Sequence, residues 1–128
     1  MSAALKTGAN FWNGGQFYGT PDYNSLHLLR DYFTEHPHAA KDIFLSIKGG
    51  LTLEKIPDGS ESFVRQSVEE CLKILPPSVK KIDLFQCARV DPNTPIESTM
   101  RTLKKLVEEG KIGAVGISEV KAETIQKA

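Results

Sequence analysis

Apolar and polar positions along the chain fall into two alternating kinds of segment: short apolar runs, and longer stretches with helical spacing. Gly8 to Asn13 is short and apolar and runs into Gly14-Gly15, which predicts a strand leading into a loop. From Pro21 to His36, the residues Leu26, Leu29, Tyr32 and Phe33 recur at the spacing of one helix face. Ile43 to Lys48 predicts a second strand, closed by Gly49-Gly50. Between Ser62 and Leu75, a stripe of Val64, Val68, Cys71, Leu72 and Leu75 predicts another helix. Pro76-Pro77 then forbids its continuation. Ile82 to Cys87 is almost wholly apolar, the pattern of a strand buried on both faces. Thr94-Pro95-Ile96-Glu97 has the form of a capping box with proline at the first helical position. Ile96, Met100, Leu103 and Val107 supply the inner face of that helix, and Gly110 its stop. Lys111 to Ser118 predicts a fourth strand, and a last helix is expected from Ala122 onward.

Strands alternating with helices at this spacing predict an α/β fold with right-handed crossovers and a parallel sheet. A doubly wound sheet and a (β/α)8 barrel both meet that description, and periodicity does not separate them. No internal repeat, low-complexity stretch or linker interrupts the chain, so residues 1–128 are expected to form one domain.

Composition narrows the function classes. Sixteen basic residues balance sixteen acidic ones, so the positive excess that nucleic acid or an anionic membrane would demand is missing. No apolar run approaches the roughly 20 residues that span a bilayer. The opening Met1 to Gly8 lacks the apolar stretch of a signal peptide. Cys71 and Cys87 make no disulfide framework, and buried thiols in a reducing, cytoplasmic compartment are expected. Neither G-x-G-x-x-G, a P-loop nor a G-x-S-x-G elbow is written here. His36-Pro37-His38 lacks the further ligands a metal site requires. Glu69-Glu70 and Glu108-Glu109 are expected to be solvated helix faces.

Four segments then separate the two architectures. Asn10 to Gly19 (NFWNGGQFYG) resembles the aldo-keto reductase segment in which an aspartate precedes a catalytic tyrosine by five positions. Leu45-Ser46-Ile47-Lys48 is similar to the strand that ends in that family's catalytic lysine. Asp83 to Pro92 (DLFQCARVDP) matches the next strand and its loop, and Leu106 to Ser118 (LVEEGKIGAVGIS) the helix and strand that follow. Their order is the family's order, and together they cover nearly the whole chain. The detailed wording most resembles the fungal pyridoxal reductases of that superfamily. The resemblance implies part of a (β/α)8 barrel, about half of it, with strands equivalent to two through five. The chain would open within the first helix of the barrel and stop within the fifth.

The same resemblance implies an NADPH-dependent reduction of an aldehyde to an alcohol, with pyridoxal going to pyridoxine. In that chemistry a phenol protonates the oxygen as hydride reaches the carbonyl carbon, and a neighbouring ammonium favours the phenolate left behind. Carried over position by position, Tyr18 would be the proton donor and Lys48 its electrostatic helper. Ser118, after the fourth strand, would help hold the nicotinamide amide of NADPH. Asn13 stands where most of the family has aspartate, so an ion pair to the lysine becomes a hydrogen-bonding support. Ala88 stands where a histidine usually orients the carbonyl, a vacated position that would widen the pocket.

A whole barrel needs eight βα units and about 250 residues. The loops that grip the NADPH phosphates would lie outside this chain. Two readings from different classes follow. One is a small-molecule aldehyde reductase, active as part of a longer protein or as a homodimer that completes a barrel. The other is a non-catalytic half-barrel, a pseudoenzyme or an interaction module.

Overall fold

The computed structural model describes residues 1–128. After a short helix α1 (Ser2–Lys6), the chain alternates β1 (Phe11–Gly15), α2 (Ser25–Glu35), β2 (Phe44–Gly49), α3 (Glu61–Ile74), β3 (Leu84–Cys87), α4 (Ile96–Glu108), β4 (Ala114–Ile117) and α5 (Ala122–Lys127). The strands form one sheet in the order β1-β2-β3-β4 with every pair parallel. This is the α/β architecture that the alternating pattern predicts.

Side chains of a strand point to opposite faces in turn, so the register sorts the sheet into two surfaces. Leu45, Ile47, Phe85 and Cys87 face the helices and are buried, and they meet Leu26, Leu29 and Phe33 of α2, Val64, Val68 and Cys71 of α3, and Leu103 and Leu106 of α4. Each such side chain contributes roughly 1.5–3 kcal/mol relative to leaving it in water. The other surface carries Phe11, Asn13, Phe44, Ser46, Lys48, Leu84 and Gln86, and no helix lies on it. Phe11 and Phe44 stack there with ring centroids 5.2 Å apart while remaining exposed.

In β3 the helix-facing Phe85 and Cys87 are buried, and Leu84 and Gln86 on the other face are half-buried. Strand limits move from their predicted positions. Gly14-Gly15 belong to β1 rather than to a loop, because they continue the ladder opposite Ile47 and Lys48. β3 and β4 are shorter than the segments Ile82 to Cys87 and Lys111 to Ser118 that predict them.

Helix ends are set by local bonds, some of them unforeseen. Asn24 starts α2: its Oδ1 accepts from the Leu26 N–H, and its own N–H donates to His27 Nδ1. Ser60 Oγ accepts from the Phe63 N–H at the start of α3. The expected capping box at α4 does not form. Thr94 Oγ1 donates instead to Asp91 Oδ2 at 2.6 Å, and Pro95 becomes the N-cap. A carboxylate is the stronger acceptor, so it takes the hydroxyl away from the helix. Gly110, at φ +71, does end α4 as predicted.

At the amino ends of the strands, Asp83 Oδ2 accepts from the Leu45 N–H at 2.8 Å and from the nearly buried Lys80 Nζ at 2.6 Å. Cys71 and Cys87 are free and buried, as expected, and burial pushes their thiols up to about 12 and about 11. Glu108 and Glu109 are exposed, as expected, and Glu69 and Glu70 are half-buried, but Glu69, Glu70 and Glu109 carry partners. Glu69 pairs with Lys111, Glu109 takes both terminal nitrogens of Arg65, and Glu70 accepts from Gln16 and Gln66.

Two outcomes check this packing. A Cβ on Gly49 would come within 2.5 Å of Ser67 Oγ and 2.7 Å of the Phe85 ring, so α3 sits this close only over glycine. Gly49→Ala should cost about 1–3 kcal/mol in urea unfolding. A thiol reagent at mildly alkaline pH should leave both cysteines untouched in the native protein and label both in denaturant.

Candidate active site

Tyr18 and Lys48 come together at the carboxyl end of the sheet. Lys48 lies within β2, one residue before its end, and Tyr18 lies three residues beyond β1. The turn between them in space is tightly made. The Gln16 N–H donates to the Lys48 carbonyl at 2.9 Å, extending the ladder one step past Gly15. The Tyr18 N–H then donates back to the Gly15 carbonyl, and the Ser25 N–H donates to the Tyr18 carbonyl at 2.8 Å. Ser25 Oγ also bridges the Gly15 N–H and carbonyl, so the first turn of α2 clasps the loop. Gly19 follows at φ +129, where a Cβ would lie 2.6 Å from the Tyr23 carbonyl; a side chain is excluded twice over.

The result is a Lys48 Nζ that donates to the Tyr18 hydroxyl at 3.3 Å and sits 5.9 Å from the centre of its ring. Tyr18 is 50% exposed, so the phenol opens to incoming molecules and to water. Chemically, such a pair can give up a phenolic proton and stabilise the phenolate that remains.

The other residues predicted for the site are placed differently. Asn13 lies on the same face of the adjoining strand, one level below Lys48. Its Nδ2 donates to Ser46 Oγ at 3.2 Å, so its hydrogen bond goes to Ser46 and not to the lysine. Gln86 stands opposite Lys48 in the β2–β3 register and donates to the same Ser46 Oγ at 2.6 Å. Asn13, Ser46 and Gln86 thus form a hydrogen-bonded polar group across three strands on the face that carries Lys48. Ser118 is half-buried just past β4, with β3 between it and Lys48, and does not join the pair. Glu119 beside it adopts φ +54, and its carboxylate accepts from Arg89 Nε at 3.1 Å. Ala88 follows β3, where the Ala88 N–H donates to the Gly49 carbonyl.

Ser46 and Gln86 were not singled out from the sequence. The available signal was a polar residue inside an otherwise apolar strand, which usually marks a face with work other than packing.

Loops at this rim are tied by one carboxylate. Asp91 Oδ2 accepts from Thr94 Oγ1 and from the Gly59 N–H at 3.0 Å, and Oδ1 accepts from the Asn93 N–H at 2.8 Å. The segment after β2 is thereby joined to the one after β3. The Thr94 hydroxyl foremost, and then those N–H groups, hold the Asp91 carboxyl below its ordinary range.

The chain matches the Aldo/keto reductase family over residues 1–128, and it belongs to that family, whose fold is a (β/α)8 barrel. Its four strands are part of such a barrel. A Schizosaccharomyces pombe protein described as "Probable pyridoxal reductase 2" is 48% identical over 130 residues, covering 100% of this chain and 39% of that protein. An aldo-keto reductase of Strobilurus tenacellus is 35% identical over 128 residues, covering 100% of this chain and 36% of its own. A further S. pombe aldo-keto reductase, whose name carries NADP(+), is 33% identical over 133 residues, 100% of this chain and 38% of its own. The chain therefore spans about two fifths of the length of these relatives.

Asp91 yields a pH prediction. A carboxyl held lower in the folded state than in the unfolded one stabilises the fold above about pH 4 and loses that contribution as pH falls through its folded value. Asp91→Asn should lower stability by about 2 kcal/mol at neutral pH. The gap should narrow on acidification when both proteins are unfolded in urea across a pH series. A gap of constant size would refute the assignment.

Proposed function

We propose that this chain carries the proton-donating part of an NADPH-dependent aldehyde reductase, acting on pyridoxal in the cytoplasm. The 3.3 Å approach of Lys48 Nζ to the Tyr18 hydroxyl is the observation that carries the reading. The family membership and the pyridoxal reductase name of one relative support it. Tyr18 is the proton donor. Lys48 stabilises the phenolate charge as the proton leaves. Asn13 and Gln86, both bonded to Ser46, supply the polar surroundings of Lys48 on its face of the sheet.

The residues present fit one end of the cofactor. Ser118 offers a hydroxyl, able to donate and to accept, as a nicotinamide carboxamide requires. No basic cluster for the phosphates accompanies it, since the Arg89 charge beside it is already matched by Glu119. Bound NADPH would supply the hydride. At Ala88, where the family resemblance places a histidine, the short side chain would leave room for a substituted ring.

Consumption of NADPH in the presence of pyridoxal, followed at 340 nm (roughly the usual nicotinamide band), tests the proposal. Tyr18→Phe should reduce turnover by about 10²–10⁴-fold and leave cofactor affinity nearly unchanged. Full turnover in Tyr18→Phe would remove the proton-donor role.

A further inference from the structure

The contact between Tyr18 and Lys48 is exposed and long, and a solvated bond of that kind does not fix its own geometry. Something else must hold the two side chains opposite each other. Gln16, two residues before Tyr18, has all four of its polar groups occupied. Its N–H donates to the Lys48 carbonyl at 2.9 Å, and its carbonyl accepts from Asn24 Nδ2 at 3.0 Å. Its Oε1 accepts from Ser67 Oγ at 2.8 Å, and its Nε2 donates to Glu70 Oε2 at 2.9 Å. These partners belong to β2, to the start of α2 and to α3.

Ser67 closes the arrangement from the other side. It is buried, and its Oγ accepts from the Gly50 N–H at 2.9 Å, two residues beyond Lys48. One helix thus holds both the loop that presents the phenol and the strand end that presents the ammonium. A surface glutamine ordinarily bonds to water and can occupy many rotamers. Here it is fixed at both ends, and each bond terminates on an element flanking Tyr18 or Lys48.

We infer that Gln16 is a positioning residue, held by Ser67 and Glu70 of α3, that sets the Tyr18 hydroxyl against Lys48. The inference rests on the reading of Tyr18 and Lys48 as the working pair. A glutamine is required because Ser67 needs an acceptor and Glu70 a donor within one side chain. Leucine at position 16 keeps the bulk and removes the acceptor of the Ser67 hydroxyl and one donor to Glu70, which keeps only Gln66. Exchanging the two, as Gln16→Glu with Glu70→Gln, restores a closed set. The carboxylate at position 16 then accepts from Ser67 and from the amide at position 70.

Nuclear Overhauser contacts between the Tyr18 ring protons and the Lys48 side-chain methylenes, in the isotopically labelled chain, read this directly and need no turnover. The wild-type chain should show them. Gln16→Leu and Ser67→Ala should lose them while keeping dispersed amide spectra, and the double exchange should regain them. Should Gln16→Leu fail to fold, Ser67→Ala carries the comparison. In protein that turns over, Gln16→Leu should lower kcat by about 10²-fold with KM little changed. Contacts retained in either folded single variant, or lost in the folded double exchange, would overturn the positioning role and leave the catalytic pair intact. Contacts missing from the wild-type chain would overturn the pair itself.

Discussion

The parallel register places Gly15, Lys48, Gln86 and Gly116 abreast near the carboxyl ends of four strands, and the rest of the structure follows from that alignment. With side chains alternating between faces, the same alignment sends Ile47, Phe85 and Val115 toward the helices. Apolar burial is thereby confined to one surface. The other is left to Asn13, Ser46, Lys48 and Gln86, which an ordinary core would exclude. A shift of one residue in a strand would turn its side chains to the opposite faces, and in β2 it would send Lys48 toward the helices. The packing of the helices and the placement of the site are thus one constraint seen from two sides.

Order at the rim comes from backbone groups and a few polar side chains. Ser25, Gln16 and Ser67 bind main-chain atoms at the ends of β1 and β2, and Asp91 binds those of the next two loops. Glycine at position 49 lets α3 approach closely enough for Ser67 to take part. Opposite, at the amino ends, Asp83 with Lys80 fastens the sheet without touching the phenol. Fastening at one end with the candidate site at the other is the division expected of barrel enzymes.

Much of this was legible in the sequence. The alternation of periods two and 3.6 located every strand and the main helices. The resemblance named Tyr18 and Lys48, which the fold brings together. What escaped had specific causes. Thr94 and Glu97 match a capping box, but Asp91, three residues earlier, competes for the same hydroxyl, and no local pattern ranks the two acceptors. Glu70 reads as a solvated position because its partner, Gln16, is far away in sequence. Asn13 was expected to support the lysine; its bond to Ser46 depends on the pairing of β1 with β2, which only the folded sheet supplies.

The central claim is that the Tyr18 phenol and the Lys48 ammonium act as a unit. A double-mutant cycle on aldehyde turnover, with Tyr18→Phe, Lys48→Met and the two combined, measures it most directly. Groups that serve one step together give a double variant no slower than the worse single one. Losses that simply multiply, or a Lys48→Met protein as fast as wild type, would contradict the account.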